Sequence, residues 1–256
     1  MDWLEWNHAK AALGWQIDLG VTEAILDTPM NRYDAPAKLD APAAKPVAPV
    51  PKPEKPAVED PITTATTLAK QAQSLPDLQA ALDQFHLCDL RKGAKSLVFA
   101  DGTPGARVMI VGEAPGRDED IQGKPFVGRA GQLLDKMLAA IDLDRAQNVY
   151  IINILPWRPP QNRDPKPDEI AMMMPFVRRH VQLAAPDVLI LMGNISCQAI
   201  LGKRGITRLR GQWTSAMNKP TLPMLHPAYL LRQPHAKRHA WDDLLNLKSW
   251  LGQNPQ

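Results

Sequence analysis

Residues 107–116 read RVMIVGEAPG, an apolar run that passes directly into a loop of glycine and proline. A short apolar run that ends at glycine is typical of a strand buried on both faces. Three more runs of this kind follow along the chain, at 148–153, 187–193 and 222–225. We therefore predict four buried strands, of which the first spans 107–111.

Helical periodicity separates the predicted strands. The helices are predicted at 132–141, 167–183, 196–201 and 237–250. Alternating strands and helices indicate an α/β fold with a parallel sheet covered by helices on both faces. Ligands of such sheets bind outside the carboxyl ends of the strands, so the functional residues are expected after those ends. The strand ends are Val111, Ile152, Met192 and Leu225.

The chain divides into three segments by composition. Residues 1–33 are rich in tryptophan and aliphatic side chains, at spacings that suit one or two short amphipathic helices. Residues 34–65 are dense in proline, alanine and lysine, a composition that favours a semi-rigid disordered linker. Residues 66–256 carry the globular pattern and form the predicted main domain.

Composition argues against several classes of protein. The sequence has no apolar run of the ~18 residues that a membrane span needs, and the early acids Asp2 and Glu5 argue against a secretory signal. We therefore expect a cytoplasmic protein with no membrane contact. The two cysteines, Cys88 and Cys197, cannot form a disulfide framework or by themselves hold a zinc ion or an iron–sulfur cluster. The net charge of +3 allows nucleic-acid binding without requiring it.

Three segments after predicted strands carry the candidate chemistry. They read GEAPGRDEDIQGKPFVG at 112–128, WRPPQNR at 157–163 and HPAYLLR at 226–232. Glycine lets a backbone approach a ligand closely, and proline holds a loop rigid. Rigid loops that offer carboxylate, amide, imidazole and aromatic groups at one sheet edge predict a small, dry, polar pocket.

The strings GEAPGRDEDIQGKPFVGRAGQLL, WRPPQNRDPKPDE and HPAYLLR resemble the motifs of the family-4 uracil-DNA glycosylases, and the similarity covers roughly residues 85–251. Three long motifs in the right order are far more specific than one short pattern. The resemblance implies a three-layer α/β/α fold with a central, mainly parallel four-stranded sheet. It also implies a monofunctional glycosylase that removes uracil from single- or double-stranded DNA and leaves an abasic site for base excision repair.

The resemblance assigns roles in a uracil pocket, and the chemistry of base excision suits them. Phe126 would stack on the flipped base, and Asn153 would read the base edge with its amide. His226 would donate a hydrogen bond to uracil O2 while the glycosidic bond breaks. Gly112 and Ala114 would form part of the pocket wall.

The catalytic acid is predicted from the first motif. Ala114 stands where better-known uracil glycosylases carry an aspartate, so Glu113 is the first candidate for orienting water or stabilising the cationic sugar. Glu119 and Asp120 are second candidates, and both also suit ordinary solvated loop acids.

The third motif and several basic residues are candidates for contact with DNA. The run Tyr229, Leu230 and Leu231 suits a wedge that fills the gap left by a flipped base. Arg232 and Arg163 suit flanking phosphates. A DNA groove could also involve one or two of a further basic set, the rest being solvated charges: Arg204, Arg208, Arg210, Lys237 and Arg238.

Family 4 typically holds a four-iron–four-sulfur cluster on four cysteines. The matching positions here are Phe85, Cys88, Trp157 and Met173, so three of the four thiolates are missing. We predict that the cluster is absent, that no other metal replaces it, and that apolar packing fills its volume.

Two other functions remain open at this stage. One is a glycosylase that accepts further deaminated bases such as hypoxanthine or xanthine. The other is a catalytically weak member of the fold that binds DNA or recruits partners. Residues 1–33 would either dock on a protein partner or fold back on the main domain, and the main domain is expected to act as a monomer.

Overall fold

The computed structural model describes residues 3–19 and 60–254. Its centre is a six-stranded mixed sheet in the order β1-β3-β2-β4-β6-β5. The strands are β1 Asp101–Gly102, β2 Val108–Gly112, β3 Val149–Asn153, β4 Val188–Met192, β5 Thr214–Ala216 and β6 Lys219–Met224. Every residue of β2, β3 and β4 is buried, as expected for strands covered on both faces.

Four strands are parallel, and each outer strand is antiparallel to its neighbour. β2 pairs with β3 and β4, and β4 pairs with β6, all in parallel. β1 pairs with β3 and β5 pairs with β6 in antiparallel orientation. The predicted four-stranded sheet is therefore corrected to six strands, while the α/β class and the mainly parallel core are confirmed. The two extra strands are two and three residues long, too short to leave an apolar pattern in the sequence.

Eleven α-helices lie in the residues that the structure describes. They are α1 Trp3–Asp18, α2 Pro61–Gln71, α3 Leu75–Gln84, α4 Leu90–Gly93, α5 Arg117–Gln122, α6 Arg129–Ala139, α7 Pro167–Ala184, α8 Asn194–Leu201, α9 Ile206–Leu209, α10 Pro227–Arg232 and α11 Lys237–Gln253. Two short 3-10 helices span Pro160–Asn162 and Pro234–Ala236. None of the helices between residues 3 and 19 or between 60 and 254 is long and apolar enough to cross a membrane.

The helices form two packed groups. α7 contacts α2, α3 and α8, whereas α6 contacts α10 and α11. α8 also packs on β4 and β2, and α11 packs on β6, so both groups reach the sheet. A single apolar core runs through the sheet and both helix groups.

The main domain begins earlier than the proline-rich composition suggests. α2 starts at Pro61, which occupies a first-turn position where its missing N–H costs nothing, and Asp60 caps the helix by accepting the Thr63 N–H at 3.0 Å. Ala65 and Ala69 of this helix are buried. Proline marks a helix start here, so residues 61–65, which the composition assigns to the linker, belong to α2. The remainder of the predicted linker, up to residue 59, lies outside the described residues.

Helix α1 covers part of the predicted tryptophan-rich segment and belongs to a separate unit of the chain. Trp6, Leu13 and Trp15 on this helix are exposed. Residues 20–33 of the same segment lie outside the described residues.

Candidate active site

A cleft of about 540 Å³ opens at the carboxyl ends of the four parallel strands. Each strand contributes a residue that follows it directly or closely: Glu113 after β2, Asn153 at the end of β3, Asn194 after β4 and His226 after β6. Parallel strands bring their carboxyl ends to one edge, which is why residues far apart in sequence meet there. The cleft lies where the sequence analysis expected functional residues.

Two aromatic rings face each other in the cleft. Phe126 and His226 stack with ring centroids 5.4 Å apart and an angle of 29° between the ring planes. Phe126 is buried, and its backbone has φ +54°, a left-handed conformation that is uncommon for a bulky residue. Gly131 permits this arrangement, because a Cβ at that position would lie 1.7 Å from the Phe126 carbonyl oxygen.

Asn153 offers an unused hydrogen-bond donor to the cleft. Its side chain is 7% exposed, and its Nδ2 has no hydrogen-bond partner anywhere in the described residues. The other amide atom, Oδ1, lies against Gly112, whose missing Cβ would approach it to 2.3 Å. An unpaired buried amide donor costs free energy, and in a native site it is commonly matched by a ligand or water.

His226 is held as a neutral ring with a defined tautomer. Its Nδ1 accepts the Ala228 N–H at 3.1 Å, so the single proton of the neutral ring is on Nε2. Burial, reinforced by the positive charge of Arg232, lowers the pKa of His226 to about 4. The residue is therefore a neutral hydrogen-bond donor at physiological pH.

The carboxyl groups of Glu113 and Asp118, both in the first motif, make no hydrogen bond or ion pair to another described residue, and of these two only Glu113 lines the cleft. Burial raises its pKa, the negative charge of Asp164 raises it further, and Arg204 opposes both effects. A carboxyl group with a raised pKa in a cleft is typical of residues that handle protons or charge.

Glu119 and Asp120, the second candidates, are engaged in holding the backbone. Glu119 Oε1 accepts the N–H groups of Val127 and Gly128 at 3.0 and 2.9 Å, and Oε2 accepts that of Gly116 at 3.1 Å. Asp120 is buried, and its Oδ1 accepts two N–H groups from residues 95–96, at 2.8 and 3.2 Å. Glu119 thus holds the backbone at residues 116, 127 and 128 together, and Asp120 holds α5 to residues 95–96. Neither is the solvated loop acid that the sequence also suits.

Two arginines predicted at the DNA surface are committed to carboxylates. Arg163 forms a two-pronged ion pair with Glu169, at 2.9 and 2.5 Å. Arg210 donates through Nε to the buried Asp243 at 2.8 Å and makes a second, shorter contact to the other carboxylate oxygen. The phosphate contacts of both arginines stay predictions, because a guanidinium that is paired with a carboxylate keeps further N–H donors. Arg163 and Arg232 both line the cleft, and the side chain of Arg232 is exposed.

The basic set shows a similar division. Arg204 lines the cleft and donates through Nε to Gln198 at 2.5 Å. Arg208, Lys237 and Arg238 are exposed and stand away from the cleft lining.

Of the three residues in the predicted wedge, one is buried in the protein. Residues 227–232 form helix α10, which places Leu230 in the core at 1% exposure. Leu230 is therefore removed from the set that could enter DNA, because a helical period turns one residue of the run inward. Tyr229 is half-buried at the cleft and Leu231 is exposed.

The four positions of the family's cluster form a closed apolar region. Phe85, Cys88, Trp157 and Met173 are each at most 2% exposed. The second cysteine, Cys197, lies on another helix, α8, and no group of three or more metal-binding side chains occurs in the described part of the chain. Burial raises the pKa of the Cys88 thiol, which disfavours the thiolate that iron requires. These residues do not fit a four-iron cluster.

Two residues of the cleft were missed in the sequence. The negative charge of Asp164 raises the pKa of Glu113. The only feature of the sequence that could have identified Asp164 is its place at the end of the WRPPQNRD string. Asn194 follows β4 and accepts the N–H groups of Gly205 and Ile206 at 3.0 and 2.8 Å, which shapes one side of the cleft. A polar residue directly after a predicted strand was the signal available for Asn194.

Comparison with known proteins supports a single family. The family model of the uracil DNA glycosylase superfamily matches residues 99–245. The type-4 uracil-DNA glycosylase of Archaeoglobus fulgidus is 35% identical over 191 residues, which cover 70% of this chain and 94% of that protein. Those of Sulfurisphaera tokodaii and Thermotoga maritima are each 36% identical over 171 residues, covering 63% and 64% of this chain and 77% and 88% of the relatives. The chain therefore belongs to the uracil-DNA glycosylase superfamily and, within it, to the type-4 uracil-DNA glycosylases.

Proposed function

We propose that this protein hydrolyses the N-glycosidic bond of uracil in DNA, releasing free uracil and leaving an abasic site. The observation that carries the proposal is the buried, unpaired Nδ2 of Asn153 beside the stacked rings of Phe126 and His226. A pocket that stacks on a planar ring and offers a buried amide to its edge suits a flipped base. The type-4 uracil-DNA glycosylases among the relatives support the same reaction.

Asn153 accounts for the choice of uracil. The Watson–Crick edge of uracil presents O4 as an acceptor next to the N3–H donor, and an asparagine amide complements this pair with its own donor and acceptor. Cytosine presents an amino donor and an acceptor in the reverse order, so two donors would meet at Nδ2. The unmet donor of Asn153 thus favours uracil by direct hydrogen bonding and disfavours cytosine by leaving a buried group unpaired.

His226 and Glu113 supply the chemistry. As the bond between C1′ and N1 breaks, negative charge builds on the base, and the Nε2–H of the neutral His226 stabilises it at uracil O2. The sugar becomes cationic, and ionised Glu113 stabilises it and orients the water that adds to C1′. The leaving base takes up a proton from solvent, and the water loses one, so the step consumes one water.

DNA contact is proposed for the exposed part of the third motif. Leu231 would fill the gap in the stack, with Tyr229 at the cleft edge and Arg232 near a phosphate. Single- and double-stranded DNA are both proposed substrates.

Catalysis on this reading needs no iron–sulfur cluster, and none of its steps involves a metal. The apolar packing of Phe85, Trp157 and Met173 supports this part of the proposal, because such side chains fill the volume of a cluster without providing ligands.

The wider organisation is proposed along the same lines. We propose residues 1–33 as a partner-docking segment, residues 34–59 as a linker, and residues 60–256, which include α2, as the monomeric glycosylase domain. The two helix groups would lie on opposite faces of the sheet in three layers, because the β2-to-β3 and β3-to-β4 connections step in opposite directions and crossovers are right-handed.

The test is uracil release from single- and double-stranded oligonucleotides, compared with matched thymine and cytosine oligonucleotides. We expect release from uracil alone, and a fall of about 100- to 1,000-fold in Asn153→Ala and His226→Ala, the size typical of losing one preorganised donor. His86→Ala changes an exposed histidine in the loop that follows α3. It serves as the matched control and should keep the wild-type rate. No release by the wild type at micromolar enzyme would refute the activity, and unchanged rates in both site variants would refute the site.

A further inference from the structure

The proposed stacking ring has a backbone that needs external support. Phe126 has φ +54° and is 5% exposed, so a bulky side chain is held in a strained left-handed conformation inside the protein. Such a conformation is unfavourable for a bulky residue and persists only where neighbouring groups impose it. The groups that impose it here therefore determine where the ring lies.

Arg145 holds this segment by its carbonyl groups. Its Nη2 donates to the Phe126 carbonyl oxygen at 2.9 Å, and its Nη1 donates to the Pro125 carbonyl oxygen at 3.2 Å. Two consecutive carbonyls on one planar guanidinium fix both the position and the direction of the peptide between them.

Arg145 is itself fixed by two carboxylates. Its Nη1 donates to Asp101 at 2.8 Å, and Asp135 accepts from Nε at 2.9 Å and from Nη2 at 2.6 Å. The arginine side chain is 18% exposed, so little of its freedom remains.

Asp101, the first of these carboxylates, connects the Phe126 segment to the strand that carries the Asn153 amide. Asp101 lies on β1, which pairs with β3 at Ile151, and β3 ends at Asn153. The path from Asn153 through β3 and β1 to Arg145 thus sets the spacing between the amide and the ring of Phe126.

We propose that Arg145 is a positioning residue of this enzyme, which holds Phe126 in place to stack on the flipped base without touching the base itself. The proposal rests on the proposed function, since it needs Phe126 to contact uracil. It also gives a function to the short edge strand β1, which presents Asp101 to the arginine.

A double-mutant cycle between Arg145 and Phe126 tests the proposal, with kcat/KM for uracil release as the readout. Arg145→Met should lower kcat/KM by about 10- to 100-fold, because a displacement of about 1 Å in a site has an effect of that size. Phe126→Ala should lower it as well. The double variant should be no slower than Phe126→Ala alone, because the arginine acts only through the ring.

Two further variants separate positioning from general stability. Arg145→Lys keeps the positive charge but replaces the planar guanidinium with a single nitrogen, so it should recover part of the lost rate. Arg107→Met is the matched control: Arg107 is 23% exposed and pairs with Asp187 at 2.7 Å at the opposite end of the sheet. It should lower the melting temperature while leaving kcat/KM within twofold of wild type.

The outcomes are distinguishable. If Arg145→Met lowers kcat/KM by the same factor with and without the Phe126 ring, the arginine acts on overall folding and the proposal is overturned while the function stands. If Arg145→Met does not fold, Arg145→Lys takes its place in the cycle under the same criterion. Absence of uracil release by the wild type overturns both, since the ring would have no base to stack on.

Discussion

Replacing Gly112 by alanine tests how closely the pocket is built. Gly112 ends β2 with an ordinary extended backbone, so alanine meets no conformational penalty there. An added Cβ, however, would lie 2.3 Å from Oδ1 of Asn153 and 2.5 and 2.7 Å from two ring carbons of Phe126. Ordinary contacts of a Cβ begin at 3.4 Å, so the amide and the ring must each move by about 1 Å.

The magnitude follows from that displacement. Overpacking of this kind costs about 1–3 kcal/mol of stability. A shift of about 1 Å in reacting geometry costs about 100-fold in rate. We therefore expect Gly112→Ala to retain its fold, with a melting temperature lowered by roughly 2–10 °C, and to lose about two orders of magnitude in kcat/KM.

The assay is uracil release under single-turnover conditions together with thermal unfolding of the same preparation. Gly93→Ala is the control, because a Cβ at Gly93 meets no atom within 4 Å. A Gly112→Ala variant that releases uracil within twofold of the wild-type rate would show that the positions of Asn153 and Phe126 do not govern the reaction.

Four other predictions concern charge, burial and the exposed wedge residue. Because burial raises the pKa of Glu113, its carboxylate is protonated at a higher pH than that of an ordinary glutamate. The rate should therefore fall on the acid side at a higher pH than an ordinary glutamate would give, and Glu113→Gln should remove this limb of the pH profile. Arg210→Ala leaves the buried Asp243 unpaired, so urea unfolding should report a loss of about 3–5 kcal/mol while DNA affinity stays unchanged; weakened DNA binding would support the groove assignment. Leu230→Ala should cost about 2–5 kcal/mol of stability. Leu231→Ala should keep the wild-type melting temperature and slow release from double-stranded DNA more than from single-stranded DNA, and equal slowing of both would argue against a wedge.

The central strands could be predicted because burial on both faces demands an unbroken apolar sequence. The runs at 107–111, 148–153 and 187–193 each became a strand within one residue at either end. β1 and β5 could not be predicted, because edge strands of two and three residues take their pairing from a neighbour and leave no pattern of their own. α2 could not be predicted for a different reason. The proline at its start continues a proline-rich segment, and the sequence does not distinguish a proline at a helix start from one in a linker.

The candidate site shows the same contrast between local and long-range information. Asn153 and His226 end or follow strands, so the topology alone brings them to one edge. The role of Arg163 depends on Glu169 and that of Arg145 on residues 19 and 44 positions away, partners that composition and spacing do not reveal. The sequence alone does not distinguish a solvated arginine from one that is ion-paired and holds the backbone, because the carboxylate partner is brought close only by the fold.

Three acids of the first motif, Glu113, Glu119 and Asp120, differ in the hydrogen bonds that their carboxylates accept. The Glu119 carboxylate accepts three backbone N–H groups and fixes the loop that carries Phe126, whereas Asp120 accepts two and joins α5 to residues 95–96. Glu113 meets none among the described residues and has a raised pKa. Preorganisation requires both kinds of residue, because a charge that stabilises a transition state is effective only where its surroundings do not move. In the proposed mechanism, the rigid loop is therefore as important for catalysis as the Glu113 carboxylate that it presents to the cleft.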